Sequence, residues 1–133
     1  ILKNFQYKKN IAYLHTDHRL MPDRTNAWSS WNSILDKNEE NKNCITYWLN
    51  KLQNLKTREN YFLSLNPFIP IEKNKIIKRV EFTHPFYDIK TVNAQKFLPE
   101  LQGVNNSYFC GSYFGYGFHE DGLISAIDVS NRL

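Results

Sequence analysis

Four of the chain's five glycines fall in one run, Cys110-Gly111-Ser112-Tyr113-Phe114-Gly115-Tyr116-Gly117-Phe118-His119-Glu120-Asp121-Gly122. Upstream, Tyr108-Phe109-Cys110 is β-prone and apolar without alternation, which predicts a central strand, buried on both faces, that ends at Gly111. Downstream, Leu123, Ala126, Ile127 and Ser130 recur at three- and four-residue spacing, which predicts a helix beginning near Asp121, with Glu120 and Asp121 as first-turn acids or N-cap. Between them, Gly111, Gly115, Gly117 and Gly122 allow positive φ and close approach of backbone to a ligand. The helix start adds N–H groups that lack intrahelical acceptors. Strand, loop and helix together predict an edge that binds anionic or carbonyl oxygen. The competing reading is a tight aromatic turn whose glycines only relieve crowding.

The rest of the chain reads as short strands separated by breakers. Asn10 to Asp17 alternates, Cys44 to Leu49 is strand-like and runs toward a short helix, and Tyr61 to Leu65 is a third strand. Asn66-Pro67 and Ile69-Pro70 break the chain, and Ile76 to Thr83 forms a fourth strand stopped by His84-Pro85. Asp36 to Asn43, polar and without period, reads as a loop. Thr91 to Leu101 has helical spacing that Pro99 spoils in its later half. The expectation is an α+β fold: an antiparallel sheet, then a C-terminal strand and helix in another layer.

With 133 residues and 41% hydrophobic composition, the chain suits one core better than two full domains. Its apolar runs are too short for a transmembrane helix and no leader pattern is present, so the expectation is a cytoplasmic protein. Cys44 and Cys110 are isolated and are expected as free thiols. The net charge of +4 is spread over scattered lysines. That distribution argues against a nucleic-acid partner while leaving peripheral association with an anionic lipid surface open.

Other chemistry-bearing residues point less sharply. His15, Asp17 and His18 lack the further ligands a metal centre needs, so no metal is expected. His119, Glu120 and Asp121 are adjacent, and their side chains diverge too far to form a triad by themselves. Trp28 and Trp31 suit either an apolar substrate wall or ordinary aromatic packing. No catalytic residue is identified.

Several segments in one order carry a resemblance: His15-Thr16-Asp17, Arg19-Leu20-Met21-Pro22, Ala27-Trp28-Ser29-Ser30-Trp31-Asn32, Thr46-Tyr47-Trp48-Leu49-Asn50, Leu65-Asn66-Pro67, His84-Pro85, Leu101-Gln102-Gly103 and Phe109 to Gly122. In these the chain resembles the C-terminal part of flavin-containing amine oxidase-like proteins, in particular a bacterial subgroup of NAD/FAD-binding oxidoreductases. The resemblance implies a substrate-domain portion over residues 1–90 and a C-terminal return into a Rossmann-like FAD-binding domain over 91–133. It further implies FAD contacts from Gly111, Ser112, Gly115, Gly117, Glu120, Asp121 and Gly122. Where the family commonly carries an acid after the strand-ending glycine, this chain has Ser112.

The G-x-G-x-x-G turn that holds the ADP half of FAD occurs nowhere in the sequence. Together with Ile1 at the first position, this makes the expectation a fragment of a longer flavoprotein, inactive alone. The implied activity is hydride transfer from a substrate C–H or C–N bond to flavin, on a small molecule or a lipid acyl chain. The alternative is a non-enzymatic α+β module that binds a protein partner or anionic lipid.

Overall fold

A computed structural model describes residues 1–36 and 42–133. The fold is α+β, with a five-stranded antiparallel sheet and three α-helices among the described residues. Strands β1 (Gln6–His15), β2 (Trp31–Leu35), β3 (Asn43–Trp48), β4 (Phe62–Leu65) and β5 (Ile76–Phe86) lie in the order β2-β3-β4-β1-β5. The helices are α1 (Leu49–Leu52), α2 (Ile89–Gln95) and α3 (His119–Ser130). The chain packs as two compact units, Lys9–Phe82 and Ile1–Lys8 with Thr83–Leu133.

In the unit Lys9–Phe82 the register sets Asn32, Thr46, Ser64 and Tyr13 across one sheet face, and Trp48, Phe62 and His15 beside them. Asn32, Cys44, Thr46, Phe62, Ser64 and His15 are buried there. Trp28 packs edge-on against Phe62 and Trp48, at ring separations of 5.6 and 5.3 Å, and donates its indole N–H to the Pro22 carbonyl. Trp31, Tyr47, Leu63 and Leu14 are in register across the opposite face. That face is apolar, and Trp31 on it is 61% exposed.

In the other unit, Thr91, Ala94, Leu98 and Ser125 are the buried residues. Asp88 caps α2 by accepting the Thr91 N–H at 2.7 Å, and the Thr91 hydroxyl donates to the Asn4 carbonyl at 2.8 Å. Helix α3 buries only Ser125 fully, while Leu123, Ile124 and Ile127 stay more than half exposed. No helix among the described residues is long and apolar enough to cross a membrane.

Several expected elements shift. The strand expected at Tyr108 to Cys110 is absent: this backbone is irregular, and Cys110 is exposed. The Gln102 side-chain amide takes both backbone groups of Phe109, its carbonyl accepting at 2.9 Å and its NH2 donating at 2.6 Å. A side chain thus stands where a neighbouring strand would pair. Strand β2 was hidden by its polarity, because its buried position is Asn32 and its exposed ones include Trp31 and Leu35. Strand β5 runs through Pro85, which an edge strand tolerates because its outer N–H groups need no partner. Helix α2 stops at Gln95 and a 3₁₀ turn, Leu98–Leu101, takes up the Pro99 position. Of the expected loop Asp36 to Asn43, residues 37–41 lie outside the described residues, and Asn43 opens β3.

Candidate functional site

The glycine run forms a compact curl that closes onto the start of α3. Four side chains tie it. Asp121 accepts the N–H groups of Tyr116 and Phe118 on Oδ2, both at 2.9 Å. Ser125 accepts the Gly111 N–H at 2.9 Å and donates within reach of the Gly111 and Gly122 carbonyls. Gln95, the last residue of α2, donates its amide to the Tyr113 and Gly115 carbonyls at 3.1 and 2.6 Å. The Ser112 carbonyl accepts the N–H groups of Gly115 and Gly117 and, at 3.5 Å, the Tyr87 hydroxyl. Burial first, and the nearby Asp121 charge second, hold the Tyr87 hydroxyl above its ordinary pKa.

Gly115 and Gly117 show what this closure demands. Residue 117 has φ +94°, and a Cβ there would meet the Tyr87 hydroxyl at 2.9 Å. A Cβ at 115 would lie 2.3 Å from Asp121 Oδ1. The space these glycines leave is therefore filled by the protein's own side chains. At 122 a Cβ would meet the Ser112 nitrogen at 3.5 Å, an ordinary contact, so α3 packs directly on the loop backbone there.

Helix α3 begins at His119, two positions before the expected start, and Asp121 is its third residue rather than its cap. The N-cap is Phe118, whose side chain has no acceptor. Among the described residues no side chain accepts from the first N–H groups of α3, which is the condition for receiving an external oxygen. Gly115 and Asp121 line a cavity of about 240 Å³ with Phe114, Ile124, Ser125 and Asp128. Gly111, Ser112 and Gly117 of the loop, and Glu120 and Gly122 of α3, do not line that cavity. Gln95 and Ser125 belong to this site without being among the residues the sequence points to. A signal for the second existed: Gly122 and Ser125 are small residues one turn apart on the face that meets the loop.

A second polar cluster lies in the unit Lys9–Phe82. The His15 Nδ1 accepts the Asp17 N–H at 3.1 Å, which assigns the ring proton to Nε2, where it is donated to Ser64 Oγ at 2.8 Å. Ser64 and Thr46 hydroxyls join at 2.6 Å, and Cys44 Sγ lies 3.8 Å from Thr46 Oγ1. In this tautomer His15 cannot take a proton from Ser64, so the pair is not a nucleophile and base. Burial lowers the His15 pKa to about 4, against the opposing charge of Asp17, and the ring is neutral at physiological pH. Burial also pushes the Cys44 thiol up.

Asp17, also buried, pairs with Arg19 at 2.5 Å and accepts the Glu72 N–H at 3.0 Å. The Arg19 hydrogen bonds hold its carboxyl well below the usual range. His15 and Asp17 are thus engaged with protein partners, and among the described residues no three His, Cys, Asp or Glu side chains gather as a metal set. His18 lines a separate groove of about 420 Å³ with Arg19, Met21, Pro22, Asp23, Thr25 and Trp28.

No protein-family model matches the chain, and no curated protein matches it significantly.

Proposed function

We propose that this chain is part of an FAD-dependent oxidoreductase of the amine oxidase-like kind, in which residues 111–122 border the flavin. The observation that carries the reading is the start of α3: its first N–H groups have no capping side chain at Phe118, and it packs at Gly122 directly on the Ser112 backbone. Such a donor set fits the carbonyl-bearing edge of a flavin ring. It does not fit the ADP half, whose glycine turn the sequence lacks.

Bound flavin would supply the hydride acceptor. The residues of this chain supply orientation: the donors at the helix start set the ring edge, and Ser112, standing where an acid is common, offers a hydroxyl without added charge. The sheet face of Trp31, Tyr47, Leu63 and Leu14 is apolar, with Trp31 exposed on it, and a lipid acyl chain is the substrate class proposed. The exposed Leu123, Ile124 and Ile127 of α3 favour a second reading, a non-enzymatic module whose helix face docks on a protein partner.

The test is Gly122→Val against Gly122→Ala in the complete gene product. A methyl makes only ordinary contact with Ser112, whereas valine's branches press on it. The alanine variant keeps its flavin and the valine variant loses it per folded molecule; equal flavin content in both would remove Gly122 from the cofactor border.

A further inference from the structure

The connection from β3 to β4 carries cations that lack counter-charges among the described residues. From Leu49 to Asn60 it holds Lys51, Lys56 and Arg58 against one acid, Glu59. None of the three cations has an ion-pair or hydrogen-bond partner among the described residues. Every residue from Lys51 to Asn60 is exposed, Leu52 and Leu55 included. Asn50 latches this connection. Its side-chain carbonyl accepts the Tyr61 N–H at 2.7 Å, and its NH2 donates to the Thr57 hydroxyl and the Glu59 carbonyl at 2.9 and 2.8 Å. Its backbone carbonyl accepts the Leu55 N–H at 2.9 Å. The loop is thus fixed before any partner arrives, and binding through it costs little ordering.

Beside the loop stands an aromatic side chain with an unused donor. Trp31 opens β2 in register with Tyr47, and Trp48 is in register with Phe62, so the start of β2, the end of β3 and the start of β4 meet at one end of the sheet. The Trp31 ring lies edge-on to Tyr47 at 4.8 Å, and its indole N–H has no acceptor among the described residues. On the nearby connection from β1 to β2, Asp23 and Arg24 offset one another, so the surplus positive charge stays with the latched loop.

We propose that this end of the sheet docks on an anionic lipid bilayer, with Lys51, Lys56 and Arg58 on the lipid phosphates and Leu52, Leu55 and Trp31 in the interface. The proposal is independent of the flavin reading. A water-soluble polyanion would satisfy the cations and leave the two leucines and the indole in water. A bilayer meets both sets, because its charge lies outside, its hydrogen-bonding headgroup zone suits an indole, and the tops of its acyl chains take up leucine.

The complete gene product would be titrated with vesicles of phosphatidylcholine alone and of equal parts phosphatidylcholine and phosphatidylserine, and bound protein measured by sedimentation. The anionic vesicles should bind at least about tenfold more tightly, and the triple variant Lys51→Gln, Lys56→Gln, Arg58→Gln should lose about that factor. All three substitutions fall on exposed side chains without partners, so the fold is not at stake. Brominated acyl chains in the anionic vesicles should quench part of the tryptophan emission, and Trp31→Phe should abolish that quenching. Equal binding to both vesicles, no binding to either, wild-type affinity in the triple variant, or no quenching would each overturn the proposal. So would soluble polyglutamate that binds as tightly as the anionic vesicles at matched charge, an outcome that points to an acidic protein partner.

Discussion

Gly115 and Asp121 lie so close that a Cβ on residue 115 would sit 2.3 Å from Asp121 Oδ1. The same carboxylate holds the N–H groups of Tyr116 and Phe118 through its other oxygen. Loop closure and helix start are therefore one interaction. Gly115→Ala should displace the carboxylate and lower stability by about as much as Asp121→Ala, which removes both bonds and should cost roughly 0.5–2 kcal/mol. Asp121→Asn, whose amide oxygen can still accept, should retain most of the stability. Urea midpoints of the three variants test this, and an Asn variant as weak as the Ala variant would show that the charge, not the acceptor, closes the loop.

The buried hydroxyl chain gives a second expectation. Ser64 joins His15 to Thr46, so Ser64→Ala leaves two buried polar groups without their partner, whereas Thr46→Val leaves one of Ser64's bonds intact. Each loss should cost about 1–3 kcal/mol, with Ser64→Ala the larger. A double-mutant cycle should return a coupling of the two sites, and additive effects would mean that the 2.6 Å contact contributes nothing.

Stability should fall with acid in two stages. The folded pKa of His15, about 4, lies below its unfolded value of 6.5. Between those values the unfolded chain binds a proton that the folded one excludes, so stability drops as pH falls through that window, by about 3 kcal/mol in all. For Asp17 the folded carboxyl is also depressed, so its contribution is present above the ordinary carboxylate range and is lost as pH falls below about 4. His15→Gln should flatten the upper stage and Asp17→Asn the lower. An unchanged slope between pH 6.5 and 4 in the His15 variant would place the titration elsewhere.

Much of the sheet was legible because strands β1, β3, β4 and β5 carry period-two or β-branched runs bounded by Asn-Pro, Ile-Pro and His-Pro breaks. Strand β2 was not, since sequence patterning assumes that polar residues face water, and here Asn32, Thr46 and Ser64 satisfy one another on the buried face. The segment Tyr108 to Cys110 shows the opposite error. Its composition is that of a strand, but a strand is defined by its partner, and Gln102 occupies the Phe109 groups instead. At the candidate site, glycine density marked the loop, while the residues that fix it, Gln95, Ser125 and Tyr87, come from outside the run and carry no local signature.

The absorbance spectrum of the purified complete gene product, read beside that of the isolated 133-residue chain, decides whether a flavin is bound. The complete product should show flavin bands at one flavin per polypeptide, and the isolated chain should be colourless and bind FAD weakly, because the sequence lacks the turn that holds the ADP half. A complete product that is colourless and takes up no added FAD would contradict the flavin reading. An isolated chain that is yellow with stoichiometric flavin would contradict the assignment of residues 111–122 to only one edge of the cofactor.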